Sequence, residues 1–247
     1  MKMPTLAILL ALLGACAGAP TAKQREGAEI HTNLGLEALR AARTQEALRE
    51  FDLALANNPD LAEAWLGHGL VMDSFGRAEE AEKDYRKAIA LKADFSEAHN
   101  NLGQLLARRG RHAEALVQFD LALSNMYYRE PFVARCNKGQ ALAAMGRREE
   151  GLEQLRACTT QNPRYCAGHR ALGLAQLETG RTKEALQSLQ RYGQLCDKEP
   201  DAPYQLGLAY LRTGDAGGAR EAFARCEELA GNSELGTECR RSRDLLK

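Results

Sequence analysis

The chain has 247 residues with 33 Lys+Arg against 33 Asp+Glu, a formal charge of +0 that lacks the cationic excess by which nucleic acid is held. Apolar residues make up 45% but aromatics only 6%, so Ala and Leu carry the hydrophobic content. With only seven prolines, this composition excludes a β-sandwich or barrel rich in Val, Ile, Thr and aromatics and points to an all-α protein.

In chain order, the first element is Met1 to Cys16, with one basic residue, Lys2, followed by an apolar run from Leu6 to Leu13. That run is short of the about 20 residues needed to span a bilayer, and it suits the apolar segment of a signal peptide, residues 1–15. The string Leu13-Gly14-Ala15-Cys16 resembles the lipobox of bacterial lipoproteins. The resemblance implies that Cys16 is diacylated, that cleavage occurs before it, and that the new N-terminus is acylated too. Ala17 and Gly18 follow, with no Asp at the second position, so it further implies the outer membrane as destination. Residues 16–27 are then a lipidated cysteine and a short tether that runs into a helix start at Thr21. Two or more acyl chains anchor stably where one does not.

Beyond the tether one phrase recurs: NLGLEAL, NLGQLLA, ALGLAQL and QLGLAYL. The matching glycines are Gly35, Gly69, Gly103, Gly139, Gly173 and Gly207, spaced 34, 34, 36, 34 and 34 residues apart. Twelve residues after each stands a small residue (Ala47, Ala81, Ala115, Gly151, Ala185, Ala219), and four further on a large one (Phe51, Tyr85, Phe119, Leu155, Leu189, Phe223). This pattern resembles the tetratricopeptide repeat, whose positions 8 and 20 are small where two antiparallel helices touch and whose position 24 fills the space between them. Trp65 stands at that family's position 4. Gly76, Gly110, Gly146, Gly180 and Gly214 mark the turns between helices, where a left-handed residue is wanted, and Pro59 and Pro163 stop second helices. The units run 28–61, 62–95, 96–129, 132–165, 166–199 and 200–233, with residues 234–247 as a capping helix for the last open face. The expected fold is an all-α, right-handed superhelical solenoid of six repeats.

The repeat frame also accounts for the histidines. His31, His99 and His169 occupy position 4, a packing position, and His68 occupies position 7; they belong to separate units and do not converge on a metal. His112 begins a second helix and is expected to be solvated. No HExxH, GxSxG, GxGxxG or P-loop string is present, so neither enzyme activity nor a cofactor is expected.

After Cys16 six cysteines remain: Cys136, Cys158, Cys166, Cys196, Cys226 and Cys239. An even number in an exported chain reads as disulfides. Because each unit touches only its neighbours, Cys226 on the last repeat is expected to pair with Cys239 in the cap. The other four allow 136–158 with 166–196, or 136–166 with 158–196.

First helices of such a solenoid line its concave face. There the sequence places Leu36, Leu39, Leu66 and Leu70, with Gln104 and Arg108 among the polar residues. Lys, Arg and Asn are missing from the places a chaperone-type carboxylate clamp needs, which hold Thr32, Leu36, Gly67 and Glu97. Leucines in a groove suit an amphipathic helix or extended apolar segment of another protein, or they are covered by packing between adjacent first helices. An exported lipoprotein of six tetratricopeptide repeats resembles the type IV pilus pilotins of the PilF/PilW family, and the cysteines and short tether point to its social-gliding members. The resemblance implies a monomer on the periplasmic face of the outer membrane that binds PilQ-type secretin subunits and promotes their assembly into the pilus pore. The alternative is a scaffold for another envelope machine, for barrel assembly or cell-wall synthesis.

Overall fold

A computed structural model describes residues 19–246. The expected signal peptide, residues 1–15, and Cys16 lie outside the described residues, within which no helix is long and apolar enough to cross a membrane. The described residues form thirteen α-helices and no strand. Twelve of them make six antiparallel pairs: α1 (Ala22–Arg40) with α2 (Thr44–Asn57), α3 (Ala62–Ser74) with α4 (Ala78–Leu91), and α5 (Ser96–Arg108) with α6 (His112–Ser124). Then come α7 (Pro131–Ala144) with α8 (Arg148–Gln161), α9 (Cys166–Glu178) with α10 (Thr182–Leu195), and α11 (Asp201–Thr213) with α12 (Ala216–Ala230). The thirteenth, α13 (Glu234–Asp244), packs on α12 and closes the last repeat.

The repeated residues do the packing that their sizes allow. The six large residues at position 24, from Phe51 to Phe223, are all fully buried, as are the small residues opposite them. A methyl group added to Gly103 would lie 2.6 Å from a Phe119 ring carbon, so the two helices of the third repeat approach as closely as they do because position 8 has no side chain. The turn glycines, of which Gly110 is one at φ +75°, adopt the left-handed conformation that ends a first helix. The first repeat has Ala42 there instead, at φ +56°.

Helix starts follow local chemistry. Thr21 caps α1 reciprocally with Gln24, and Asp215 and Ser233 cap α12 and α13 through their side chains. The second helices α2, α4, α6, α8 and α10 begin without a side-chain cap but carry glutamate in their first turn, which the helix dipole favours.

Position 4 has a specific job. The Trp65 indole N–H donates to the Pro59 carbonyl at 2.8 Å, and the Nε2 atoms of His99 and His169 meet the Ala93 and Pro163 carbonyls at 3.0 and 3.1 Å. Each ring therefore satisfies a carbonyl in the turn six residues before it. His31 has helix rather than a turn before it and pairs with Glu50 instead, Nδ1 to Oε2 at 2.7 Å. Among the described residues no cluster of His, Cys, Asp and Glu could hold a metal.

Contacts run between successive first helices, α1 with α3 through to α9 with α11, while second helices meet chiefly the first helices beside them. First helices thus form the inner, concave wall, the arrangement of a curved solenoid. Positions 3 and 7 of a first helix pack on the preceding unit: Ala98 and Leu102 in the third repeat are buried. Their counterparts in α1, Ile30 and Leu34, are exposed at the open end.

Three disulfides form: Cys136–Cys158, Cys166–Cys196 and Cys226–Cys239, with Cα separations of 5.4, 6.1 and 6.0 Å. Of the two alternatives for the first four cysteines, the structure takes the one within repeats. Cys136 on α7 lies across from Cys158 on its own partner helix α8, and Cys166 at the start of α9 meets Cys196 at the end of α10. The last disulfide ties the cap to α12, with both cysteines fully buried.

Candidate functional site

The concave wall changes character along its length. At position 9 the six repeats read Leu36, Leu70, Gln104, Gln140, Leu174 and Leu208; at position 12 the third and fourth repeats have Ala107 and Ala143 where the first, fifth and sixth have leucine. In the first two repeats the leucines pack into the core, whereas Leu174 borders a cavity and Leu211 is exposed. Leu66 belongs to the buried core, and Leu36, Leu39 and Leu70 pack against that core half-buried. They contribute more to holding repeats together than to offering a free surface, which favours the packing alternative for these positions.

In the middle repeats glutamine and alanine leave the space between neighbouring first helices open. A cavity of about 410 Å³ lies between α5, α6 and α7, with Gln104, Arg108, His112, Asn137 and Gln140 as its polar lining and Phe119 and alanines as its apolar part. A second, of about 260 Å³, lies between α7 and α9 and shares Gln140 and Ala144 with the first. Together they make one groove across repeats three to five. Of the residues the sequence reading assigned to the partner groove, Gln104 and Arg108 line it and the four leucines do not.

An amide ladder runs along one wall. Asn137 donates to the Asn100 carbonyl oxygen at 2.9 Å, and Gln104 donates to the Asn137 carbonyl oxygen at 3.4 Å. Arg108 holds both carboxylate oxygens of Asp73 at 2.6 Å, which fixes the guanidinium at the rim between repeats two and three. Arg170, in the second cavity, is held by Asp201 at 2.6 Å. Burial pushes the Asp201 carboxyl up, and hydrogen bonds from Arg170 and Gln205 more than offset this, so it stays below its ordinary value and ionised.

His112 corrects an expectation. Beginning a second helix, it was expected to be solvated; instead it is half-buried, lines the larger cavity, and its Nδ1 is enclosed without a hydrogen-bond partner. The reason is tertiary: the start of α6 shares a cavity with α7 of the next repeat, and sequence position within one repeat does not reveal that. Ala143 and Ala144 were expected on the concave face and line the groove; the residues missed in the sequence (His112, Asn137 and Gln140) had one legible signal, the replacement of leucine by glutamine and alanine at positions 9 and 12.

A separate ionic cluster braces repeats two and three away from the groove. Burial raises the Glu82 carboxyl, but hydrogen bonds from Arg111 and Arg86 outweigh it and leave the group below its ordinary value. Nearby, His68 Nδ1 lies 2.7 Å from Asp84 and its Nε2 3.6 Å from Asp52, joining α3 to both α4 and α2.

Comparison with known proteins agrees with this architecture. Tetratricopeptide-repeat family profiles match residues 75–110, 136–203 and 201–233. No curated protein matches the chain. Among solved structures, it is similar to PilW, described as a widely conserved type IV pilus biogenesis factor, with a TM-score of 0.79 and 24% identity over 85% of this chain and 97% of that one. It is also similar to PilF of Pseudomonas aeruginosa, with a TM-score of 0.76 and 19% identity over 89% and 99% of the two chains. YrrB, described as a tetratricopeptide-repeat protein with an unusual peptide-binding site, aligns with a TM-score of 0.55 and 19% identity over 77% and 97%. The chain is a tetratricopeptide-repeat protein, structurally similar to PilW and PilF at low sequence identity.

Proposed function

We propose that this protein is an outer-membrane lipoprotein that acts as a pilotin, binding PilQ-type secretin subunits and promoting their assembly into the type IV pilus pore. The observation that carries the reading is the end-to-end likeness to PilW, where 85% of this chain aligns with 97% of a chain described as a type IV pilus biogenesis factor. The lipobox-like Leu13-Gly14-Ala15-Cys16 supports lipid attachment at Cys16 and a periplasmic-face location, and the cysteine content supports a pilotin of the social-gliding Tgl type. In this reading the protein works by binding rather than catalysis. A segment of the secretin lies in the groove of repeats three to five, where glutamine and alanine leave open volume between first helices.

The test is co-purification from detergent-solubilised outer membranes, with the heat-resistant secretin multimer measured in cells that carry or lack the protein. A secretin recovered with the wild-type chain, and loss of multimer without it, is the expected result. Recovery of a barrel-assembly or cell-wall protein instead would assign the scaffold to another envelope machine. Cys16→Ala is expected to release the folded protein from the membrane, since the repeats bury their own core without lipid. Retention of that variant in salt-washed outer membranes would refute lipid anchoring at Cys16.

A further inference from the structure

We infer that the Cys166–Cys196 bridge is a site of thiol–disulfide exchange, opened by a thiolate that attacks Cys196 and displaces Cys166 while the other two bridges stay closed.

The first observation is access. Cys136, Cys158, Cys226 and Cys239 are at most 1% exposed, so their sulfurs are shielded from attack while the protein is folded. Cys166 and Cys196 are only half-buried. Cys196 also borders an open cavity of about 600 Å³ between α10, α11 and α12, with Gln194, Pro203, Leu206 and Arg225 along its sides. That volume admits a small peptide thiol or a loop tip that carries a cysteine. Arg225 is engaged by Glu228 at 2.6 Å, so the cavity offers no free cation to hold an anionic ligand. It serves as an approach path, and the sulfurs themselves decide the chemistry.

The second observation is polarity. Cys166 is the first residue of α9, whereas Cys196 stands at the C-terminal cap of α10. The positive end of a helix dipole favours a thiolate and the negative end disfavours one. Exchange is faster when the departing sulfur is the better-stabilised thiolate. Cys196 is therefore the sulfur attacked and Cys166 the leaving group. The incoming thiolate bonds to Cys196 Sγ as the bond to Cys166 Sγ breaks, and the electron pair departs with Cys166. A second thiolate then displaces Cys196 from the mixed disulfide, so two thiols are oxidised to one disulfide for each bridge reduced.

The third observation is what remains when the bridge opens. Arg170 on α9 donates to Asp201 of α11 at 2.6 Å, and the Tyr192 hydroxyl of α10 donates to the same carboxylate at 3.3 Å. These contacts join the three helices without the sulfurs. Opening thus frees the start of α9 and the turn at 196–200 without parting repeats five and six.

The experiment exposes the purified full-length protein, without denaturant, to reduced glutathione and separately to thioredoxin stripped of its second active-site cysteine. Samples are quenched in acid, alkylated and mapped by non-reducing peptide mass spectrometry, with circular dichroism confirming that the fold persists. The expected result is an adduct on Cys196 with Cys166 as a free thiol, formed at least tenfold faster than any thiol from the other two bridges. Hydrogen exchange should quicken at the start of α9 and at 196–200 alone. An adduct with glutathione only assigns the site to small thiols, and one with thioredoxin as well assigns it to dithiol oxidoreductases; both support exchange at Cys196. The variant Cys166→Ser with Cys196→Ser should fold and form no adduct. Adducts on Cys166 instead, equal rates at all three bridges, or no reaction short of unfolding would overturn the inference.

Discussion

Replacing Gly67 with alanine adds one methyl group inside α3, and two opposing effects decide the outcome. Helix propensity favours alanine over glycine by about 1 kcal/mol in a helix interior. Against this, the new methyl would sit 2.8 Å from Phe51 Cδ1 and nearer still to Cε1 and Cζ, where ordinary contact begins near 3.4 Å. The ring cannot withdraw: Phe51 is fully buried, and on its other side a methyl at Gly35 of α1 would also come within 2.8 Å. One aromatic ring is thus held between the glycines of two successive first helices, and relief requires α3 to move away from repeat one. Overpacking of this kind costs about 1–3 kcal/mol, and with no room to yield the upper part of that range applies. The net effect should be a loss of about 1–2 kcal/mol. Gly27→Ala is the control, because its methyl would meet only Asn57 side-chain atoms at 3.8–3.9 Å, so propensity should act alone and stabilise by up to about 1 kcal/mol. Urea unfolding followed by far-ultraviolet circular dichroism reads both as shifts in midpoint. If Gly67→Ala unfolds at or above the wild-type midpoint, or the two variants shift in the same direction, the packing account of the repeat is wrong.

Three further outcomes can be checked. Non-reducing peptide mapping should find Cys136–Cys158, Cys166–Cys196 and Cys226–Cys239; replacing Cys226 and Cys239 together with Ala should cost about 3 kcal/mol for a loop of this length and expose α13 first in hydrogen exchange, and unchanged protection of α13 would count against the stapled cap. The hydrogen bond to Asp84 raises the His68 pKa above its ordinary 6.5 against burial that lowers it, so this contact stabilises the fold fully below pH 6.5 and the contribution is lost as pH rises through the raised value; His68→Gln should flatten stability over that window, and an unchanged pH slope would refute the assignment. Leu36→Asp with Leu70→Asp should lower the unfolding midpoint, since burying each leucine contributes about 1.5–3 kcal/mol when complete and both pack on the core; an unshifted midpoint would restore these leucines as a free docking surface.

The sequence alone determined the helical class, the 34-residue period, the turn glycines and the close-packed pairs such as Gly103 with Phe119, because each depends on residues within one unit at fixed separations. It also placed Cys226 opposite Cys239, since consecutive antiparallel helices must meet. Tertiary structure decided the rest. Whether Leu70 is open to a ligand or packed depends on side chains a whole repeat away, and local periodicity treats both cases alike. The same holds for His112, whose environment is set by α7 rather than by its own repeat. The choice of Cys136–Cys158 over Cys136–Cys166 required the distance across a helix pair, which spacing along the chain does not fix. The groove itself arises from an absence of volume at Ala107 and Ala143, and missing side chains become a cavity only when the neighbouring helices are held too far apart to close it.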